Sequence, residues 1–258
     1  VLKVTEVNDP PRLSPLTVQA REDGTVSIPL SALVESAAAG PANESTEKIF
    51  LTNIDTQSDA GGMVAHDGGM LLYAPPHDFN GIDTIAFEVR DNGTTAGSDD
   101  SQSTRGAAIL QVFEVNDPPT AQDDDIEAYV GRNNLVTTGD LAQNDSAGPP
   151  NEWRQQLIVI DASESSSAGG TVTVVANGVT YTPPRDFLGE DHFQYTVSDN
   201  GTTGGESTPL SATAQVTVHV VRPRDELVMG FIDFSGCTSA GGSGTLVSWM
   251  AWLVTRVR

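Results

Sequence analysis

Tyr181-Thr-Pro-Pro-Arg-Asp-Phe-Leu-Gly-Glu-Asp-His-Phe-Gln-Tyr-Thr-Val-Ser-Asp199 is a corner followed by a strand. Paired prolines and a glycine punctuate its first half. From His192 to Val197 polar and apolar residues alternate, as in a strand with one face buried. The corner recurs: Pro183-Pro-Arg-Asp-Phe-Leu-Gly-Glu-Asp191 lies 108 residues (183 − 75) after Pro75-Pro-His-Asp-Phe-Asn-Gly-Ile-Asp83, and Thr84–Val89 alternates in turn. The same shift carries Asn8-Asp-Pro-Pro11 onto Asn116-Asp-Pro-Pro119, Ala39-Gly-Pro-Ala-Asn-Glu44 onto Ala147-Gly-Pro-Pro-Asn-Glu152, and Asp91-Asn-Gly-Thr-Thr95 onto Asp199-Asn-Gly-Thr-Thr203. Four blocks in one register make a tandem repeat.

Working outward, Ile109–Val115 and Ala214–Val220 alternate as strands do. Further strands are expected at 13–20, 25–30, 49–54 and 71–74, then at 126–130, 134–137, 156–161, 171–175 and 179–182. No helical stripe interrupts them. About seven short strands in each hundred residues predict an all-β fold of two tandem antiparallel β-sandwiches. Val4-Thr-Glu-Val-Asn-Asp-Pro-Pro11 matches Val112-Phe-Glu-Val-Asn-Asp-Pro-Pro119, so 1–7 reads as the last strand of a preceding repeat. The expected divisions are 8–115, 116–222 and a non-repeat tail, 223–258.

Charge and composition narrow the function. The 258 residues hold 35 Asp and Glu against 13 Lys and Arg, a net charge of −22. A phosphate backbone needs clustered cations, so nucleic acid is not an expected partner. The single cysteine, Cys237, has no partner for an intrachain disulfide. There is no Gly-x-Ser-x-Gly elbow, and the four histidines, 66, 77, 192 and 219, lack metal-ligand spacing. No enzymatic activity is expected. His66 and His77 are expected in turns, and the sequons at Asn43, Asn92 and Asn200 are expected to be unmodified.

The corner-and-strand motif resembles that of bacterial cadherin-like, immunoglobulin-like repeats. Asp140-Leu-Ala-Gln-Asn-Asp145 is similar to a turn of that family, replaced in the first copy by Ser31-Ala-Leu-Val-Glu-Ser36. Glu-Val-Asn-Asp-Pro-Pro is similar to the cadherin linker. The resemblance covers residues 1 to about 222. It implies a segment of a large extracellular or cell-surface bacterial protein, an adhesin or stalk, with calcium stiffening the junctions between neighbouring repeats.

The residues offer calcium candidates of their own. Calcium takes six to eight hard oxygen ligands, so acids, amides and carbonyls must converge. One junction offers Glu114, Asn116 and Asp117, then Asp123, Asp124 and Asp125. The chain-start junction offers Glu6, Asn8 and Asp9, with Glu22 and Asp23 after the first strand. Pro118 and Pro119 stiffen the linker. Asp91 and Asp199 follow the strongest strand of each copy and are added as possible ligands, although Asn-Gly after each is first a turn signal that favours positive φ. The bland alternative is that these acids only solvate the surface.

Two further readings stay open. A ligand-binding module, for carbohydrate or another cell-surface partner, would need exposed loop aromatics, and Trp153 is the only loop-placed tryptophan in the repeats. In the tail, small residues Thr238–Gly244 precede the apolar run Thr245–Val254 and a terminal Arg-Val-Arg258. That order resembles a bacterial C-terminal sorting signal, the one expected route to a membrane. Ten helical residues reach only about 15 Å against a hydrocarbon core of roughly 30 Å. A degenerate sorting tail, an interfacial segment and non-native sequence all remain.

Overall fold

The computed structural model describes residue 2 and residues 4–223. The expectations for the tail from residue 224 onward, Cys237 included, lie outside them. In the first repeat the chain forms β1 (Arg12–Leu13), β2 (Leu16–Arg21), β3 (Val26–Pro29), α1 (Leu30–Glu35), β4 (Ala37–Ala38), β5 (Phe50–Ile54), β6 (Met63–Asp67), β7 (Met70–Ala74), β8 (Gly81–Arg90), β9 (Thr94–Thr95), β10 (Ser98–Asp99) and β11 (Ser103–Phe113). The second follows as β12 (Asp124–Tyr129), β13 (Asn134–Thr137), α2 (Thr138–Leu141), β14 (Ile158–Ala162), β15 (Thr171–Val175), β16 (Gly178–Thr182), β17 (Gly189–Ser198), β18 (Thr202–Thr203), β19 (Glu206–Ser207) and β20 (Ser211–Val221).

Each repeat packs a four-stranded sheet on a three-stranded one. The orders are β2-β11-β8-β5 on β3-β7-β6, and β12-β20-β17-β14 on β13-β16-β15. The architecture is the expected all-β sandwich, with one difference: β2 runs parallel to β11, and β12 parallel to β20. A repeat in a string receives the chain at one end and releases it at the other. Its entering and leaving strands therefore run the same way, and when they are neighbours they must pair in parallel.

Two local departures have simple causes. Ser31–Ser36, read as the counterpart of the turn at Asp140–Asp145, lies largely in a short helix, Leu30–Glu35, and Thr138–Leu141 is a single helical turn that runs into the second of these turns. Leu33 and Leu141 face the core from these turns, fully buried. A four- to six-residue helix is too short to write an amphipathic stripe. β6 was not anticipated, because Met63-Val-Ala-His-Asp67 alternates weakly, although its counterpart β15 was; His66 lies on this strand rather than in a turn.

Alternation places the core. Ile85, Phe87 and Val89 of β8 point inward with Leu71 and Tyr73; Phe193, Tyr195 and Val197 of β17 do so with Val179 and Tyr181. Phe79 and Phe187 of the corner motif are half-buried at the edges of these clusters. Burying each large side chain is worth roughly 1.5–3 kcal/mol. The corner motif also supplies an anchor of a different kind. Asp191 is fully buried and accepts hydrogen bonds from Tyr181 Oη at 2.6 Å, the Ala168 N–H at 2.7 Å and Ser167 Oγ at 2.9 Å. Burial alone would raise its pKa, but bonds from Ser166, Tyr181, Ala168 and Ser167 outweigh it and hold the carboxyl at about 2. Asp83 repeats the arrangement with Tyr73, Ala60 and Thr84.

Candidate metal centre at the repeat junctions

The linker enters each repeat beside a small hairpin. The Asn116 N–H donates to Thr203 Oγ1 at 3.0 Å, and the Gly204 N–H donates to the Glu114 carbonyl at 3.1 Å. One repeat earlier, Asn8 meets Thr95 Oγ1 at 3.0 Å and Ala96 meets the Glu6 carbonyl at 3.3 Å. Thus residues 6–9 stand to the first repeat as 114–117 stand to the second.

The linker asparagine is then drawn inward. Asn116 Nδ2 donates to Asp199 Oδ1 at 3.1 Å and to the Thr208 carbonyl at 2.9 Å. Asp199 Oδ1 also accepts the Gly201 and Leu210 N–H groups, each at 3.0 Å. Gly201 is needed here for closeness: a Cβ on it would overlap the Asn116 amide. Neither Gly201 nor Gly93, which meets Asn8 in the same way, has positive φ, so the Asn-Gly pair is not the turn signal expected from sequence.

An acid that the sequence reading passed over completes the pocket. The Asp117 N–H donates to Glu152 Oε1 at 3.0 Å, and the Asp9 N–H to Glu44 Oε1 at 3.1 Å. Glu152 and Glu44 are 2% and 1% exposed, an unusual state for an acid. Beside them stand Gln155 and Glu47. Gln155 Nε2 donates to Asn116 Oδ1 at 2.8 Å, a bond that Glu47 cannot make to Asn8. The signal was present in sequence, since Glu44 and Glu152 close the repeated Ala-Gly-Pro-x-Asn-Glu block.

This geometry leaves oxygens without donors. At the central junction Asp117 Oδ2, Asn151 Oδ1, Glu152 Oε2, Gln155 Oε1 and Asp199 Oδ2 are buried and accept no hydrogen bond. At the first repeat, Asn8 Oδ1, Glu44 Oε2, Glu47 Oε2 and Asp91 Oδ2 are in the same state. Buried acceptors without donors are costly, and a hard cation is what carboxylate and amide oxygens together would satisfy.

The first repeat contributes to the central set. Glu22, 1% exposed, accepts the Val115 N–H at 2.6 Å and Asn151 Nδ2 at 3.2 Å, so one carboxylate holds both the linker and the second repeat. Desolvation raises its pKa, and the charges of Asp23 and Asp117 add to that. Desolvation likewise raises Asp117, with Asp23 and Asp78 contributing, and raises Glu152, with Asp117 and Glu114 contributing. Carboxylates from both repeats therefore repel one another across the linker. Asp23, His77 and Asp78 also bring ligand atoms within 4.8 Å of one another beside it.

Of the sequence candidates, Glu22, Asp23, Glu114, Asn116, Asp117 and Asp199 come together at the central junction, and Glu6, Asn8, Asp9 and Asp91 at the first repeat. Asp123, Asp124 and Asp125 do not join them. Asp124 pairs with Val216, five residues down β20 from its junction end, or about 16 Å away at roughly 3.3 Å per residue. There Asp123 accepts the Gln215 N–H at 2.9 Å, and Asp125 lies 3.4 Å from His219. Asp124 adjoins Tyr195 and Asp145; desolvation pushes its pKa up to about 6.

Residues 7–104 match a family model described as a cadherin-like domain, and residues 116–219 match one described as a bacterial Ig domain. Both describe non-catalytic domains. No curated protein matches the sequence. Among solved structures of similar fold, Drosophila N-cadherin EC1-4 is 17% identical, with 83% of this chain and 50% of that one covered and a TM-score of 0.42. The human desmocollin-1 ectodomain is 16% identical, with 84% and 42% covered and a TM-score of 0.39. An endo-fucoidan hydrolase from glycoside hydrolase family 107 is 14% identical, with 83% and 29% covered and a TM-score of 0.28. The chain spans half or less of the length of each of these. Among the described residues no helix is long and apolar enough to cross a membrane.

Proposed function

Because the chain is a tandem of a cadherin-like domain and a bacterial immunoglobulin-like domain, we propose that it is a calcium-stiffened stalk or adhesion segment of a larger bacterial surface or secreted protein. Its first partners are the neighbouring repeats of its own chain, divided as the sequence repeat suggests at residues 8–115 and 116–222. Residues 1–7 then belong to a repeat before them. The observation that carries the proposal is the set of donor-less buried oxygens on Asp117, Asn151, Glu152 and Asp199, gathered beside Glu22 of the preceding repeat.

Calcium, when bound, supplies the positive charge that these acids lack and ties groups from three pieces of chain together. Glu22 would join from the first repeat, Glu114 and Asp117 from the linker, and Asn151, Glu152 and Asp199 from the second repeat. Asn116 and Gln155 hold the linker in register, and Pro118 and Pro119 limit its freedom. The first repeat offers Glu6, Asn8, Asp9, Glu44, Glu47 and Asp91 for an equivalent site. Without the ion, mutual repulsion among the acids favours hinging, so calcium sets the angle between two rigid sandwiches.

The test is thermal unfolding and small-angle scattering of the whole chain in EDTA and in 5 mM calcium. Extracellular modules bind calcium at roughly 10⁻⁴–10⁻³ M, so saturation should add roughly 1–2 kcal/mol, or about 5 °C or more. The particle should also become longer and stiffer. Asp199→Asn should remove most of the central junction's share of both changes. Identical melting and scattering with and without calcium would leave a plain acidic spacer.

A further inference from the structure

The second repeat carries a surface feature that the first lacks and that the junction reading does not use. The turn at Pro150–Glu152 points Glu152 inward to the linker and delivers the next residue, Trp153, outward, 73% exposed. The Arg154 guanidinium covers one face of the indole at 4.8 Å from the ring centre. Such a cation–π contact occupies that face and steadies the ring, leaving the opposite face as a flat apolar platform. In the first repeat the equivalent positions are Ser45 and Thr46 (153 − 108 and 154 − 108).

Trp153 forms one wall of an open cleft of about 350 Å³, within the size range of small-ligand sites. Of the polar groups on its lining, the Asp145 carboxylate is half-buried; its oxygens accept the Gln122 N–H at 2.8 Å and Tyr195 Oη at 3.2 Å, and each can take one further bond. Gln155 Oε1 is buried and belongs to the junction, and the Ser146 hydroxyl is committed to the Gly148 carbonyl. An acceptor beside an apolar plate selects a ligand with hydrogen-bond donors and one flat C–H face. Anionic ligands are opposed by Asp145, Glu152 and a net charge of −22. Proline-rich peptides lack the donors. A cation is disfavoured at the platform because Arg154 already supplies one.

We propose that Trp153 and its cleft form a binding site for a neutral glycan, one pyranose ring stacking on the free indole face while a hydroxyl donates to Asp145. Glu152 and Gln155 line both this cleft and the junction, but Trp153, Arg154 and Asp145 lie outside the calcium set, so titration in EDTA and in calcium lets either proposal fail alone. It would give the second repeat a contact with a cell-surface or matrix polysaccharide, with the first acting as spacer.

The experiment is calorimetric titration of the whole chain at 150 mM NaCl with cellohexaose, laminarihexaose, xylohexaose, mannohexaose and maltohexaose, with hexalysine and a polygalacturonate oligomer as charged controls. At least one neutral hexasaccharide should bind with a millimolar or lower Kd. Trp153→Ala should weaken it at least tenfold, and Trp153→Phe by less, with melting unchanged in both. Absence of binding by every neutral glycan at 10 mM would overturn the proposal. So would affinity that survives Trp153→Ala, or salt-sensitive binding of hexalysine alone, which would make the cleft a basic-peptide site.

Discussion

The tops of the two repeats are built from the same parts but balanced differently. Glu44, Glu47 and Asp91 surround the linker residue Asn8 in the first repeat; Glu152, Gln155 and Asp199 surround Asn116 in the second. The exchange of Glu47 for Gln155 changes both charge and hydrogen bonding. Gln155 donates to Asn116 and so satisfies the linker amide oxygen without an ion, although its own Oε1 stays donor-less as Glu47 Oε2 does; Asn8 Oδ1 has no such donor. The pKa of Glu47 is raised by desolvation and then by Glu44, Asp91 and Glu6. The first site thus carries one more carboxylate and leaves its linker amide oxygen unpaired, whereas the second pairs that oxygen within the protein. One scaffold can therefore grade the cation dependence of successive junctions through a single amide.

The sharpest way to break this comparison is at the two glycines. Gly201→Ala would drive a Cβ into the Asn116 amide, which makes three hydrogen bonds: two from Nδ2 and one to Oδ1. We expect a loss of about 2–3 kcal/mol in the second repeat, measured by urea unfolding followed with amide hydrogen exchange. Gly93→Ala disturbs Asn8, whose side chain makes only the two Nδ2 bonds, and should cost less. Equal losses would mean that Gln155 contributes nothing to holding the linker.

Exchanging the amide and the acid should move cation affinity in opposite directions. Gln155→Glu adds a ligand charge and removes the competing donor, so calcium should bind the second site about tenfold more tightly, or about 1.4 kcal/mol. Glu47→Gln should weaken the first site by a similar factor. Calcium titration of each variant reads both, and shifts of the same sign would overturn the assignment.

The smallest expected effect separates the flanks of the repeats. Asp124 and Tyr195 occupy the positions of Leu16 and Phe87 (124 − 108 and 195 − 108), so only the second repeat has a titrating group there. Its pKa is raised in the folded state to about 6, so between about pH 4 and 6 the folded chain holds the proton more tightly than the unfolded one. That contribution is present at low pH and is lost as pH rises through 6. In EDTA, exchange protection of β17 relative to β8 should increase between pH 7 and pH 5, by less than about 1 kcal/mol after solvent screening. Asp124→Asn should abolish the increase, and an unchanged pH profile in that variant would place the titration elsewhere.

Much of the architecture could be read without coordinates. The 108-residue shift, the alternation in β8 and β17 and the prolines at the corners are local or repeated features, and they imply two sandwiches by themselves. The linker acids could also be read, because Glu114, Asn116 and Asp117 lie together in sequence. The corner motif was only half legible: its phenylalanine reads as packing, but the buried Asp83 and Asp191 look no different from surface acids.

What the sequence determined, then, is the repeat, the fold class and the acidic linker, because period two and short motifs are properties of neighbouring residues. Tertiary structure decided which acids matter. Glu44 and Glu152 turn inward because a short helical turn aims them at linker N–H groups 35 residues away in sequence. Gly93 and Gly201 are glycines because an asparagine from the linker must fit against them. Asp123, Asp124 and Asp125 leave the junction because β12 has already turned down the sandwich to pair with β20. Each is a contact between distant parts of the chain, where steric fit and burial select the residue; the repeated block marks Glu44 and Glu152 as recurring, but local pattern does not say what they touch.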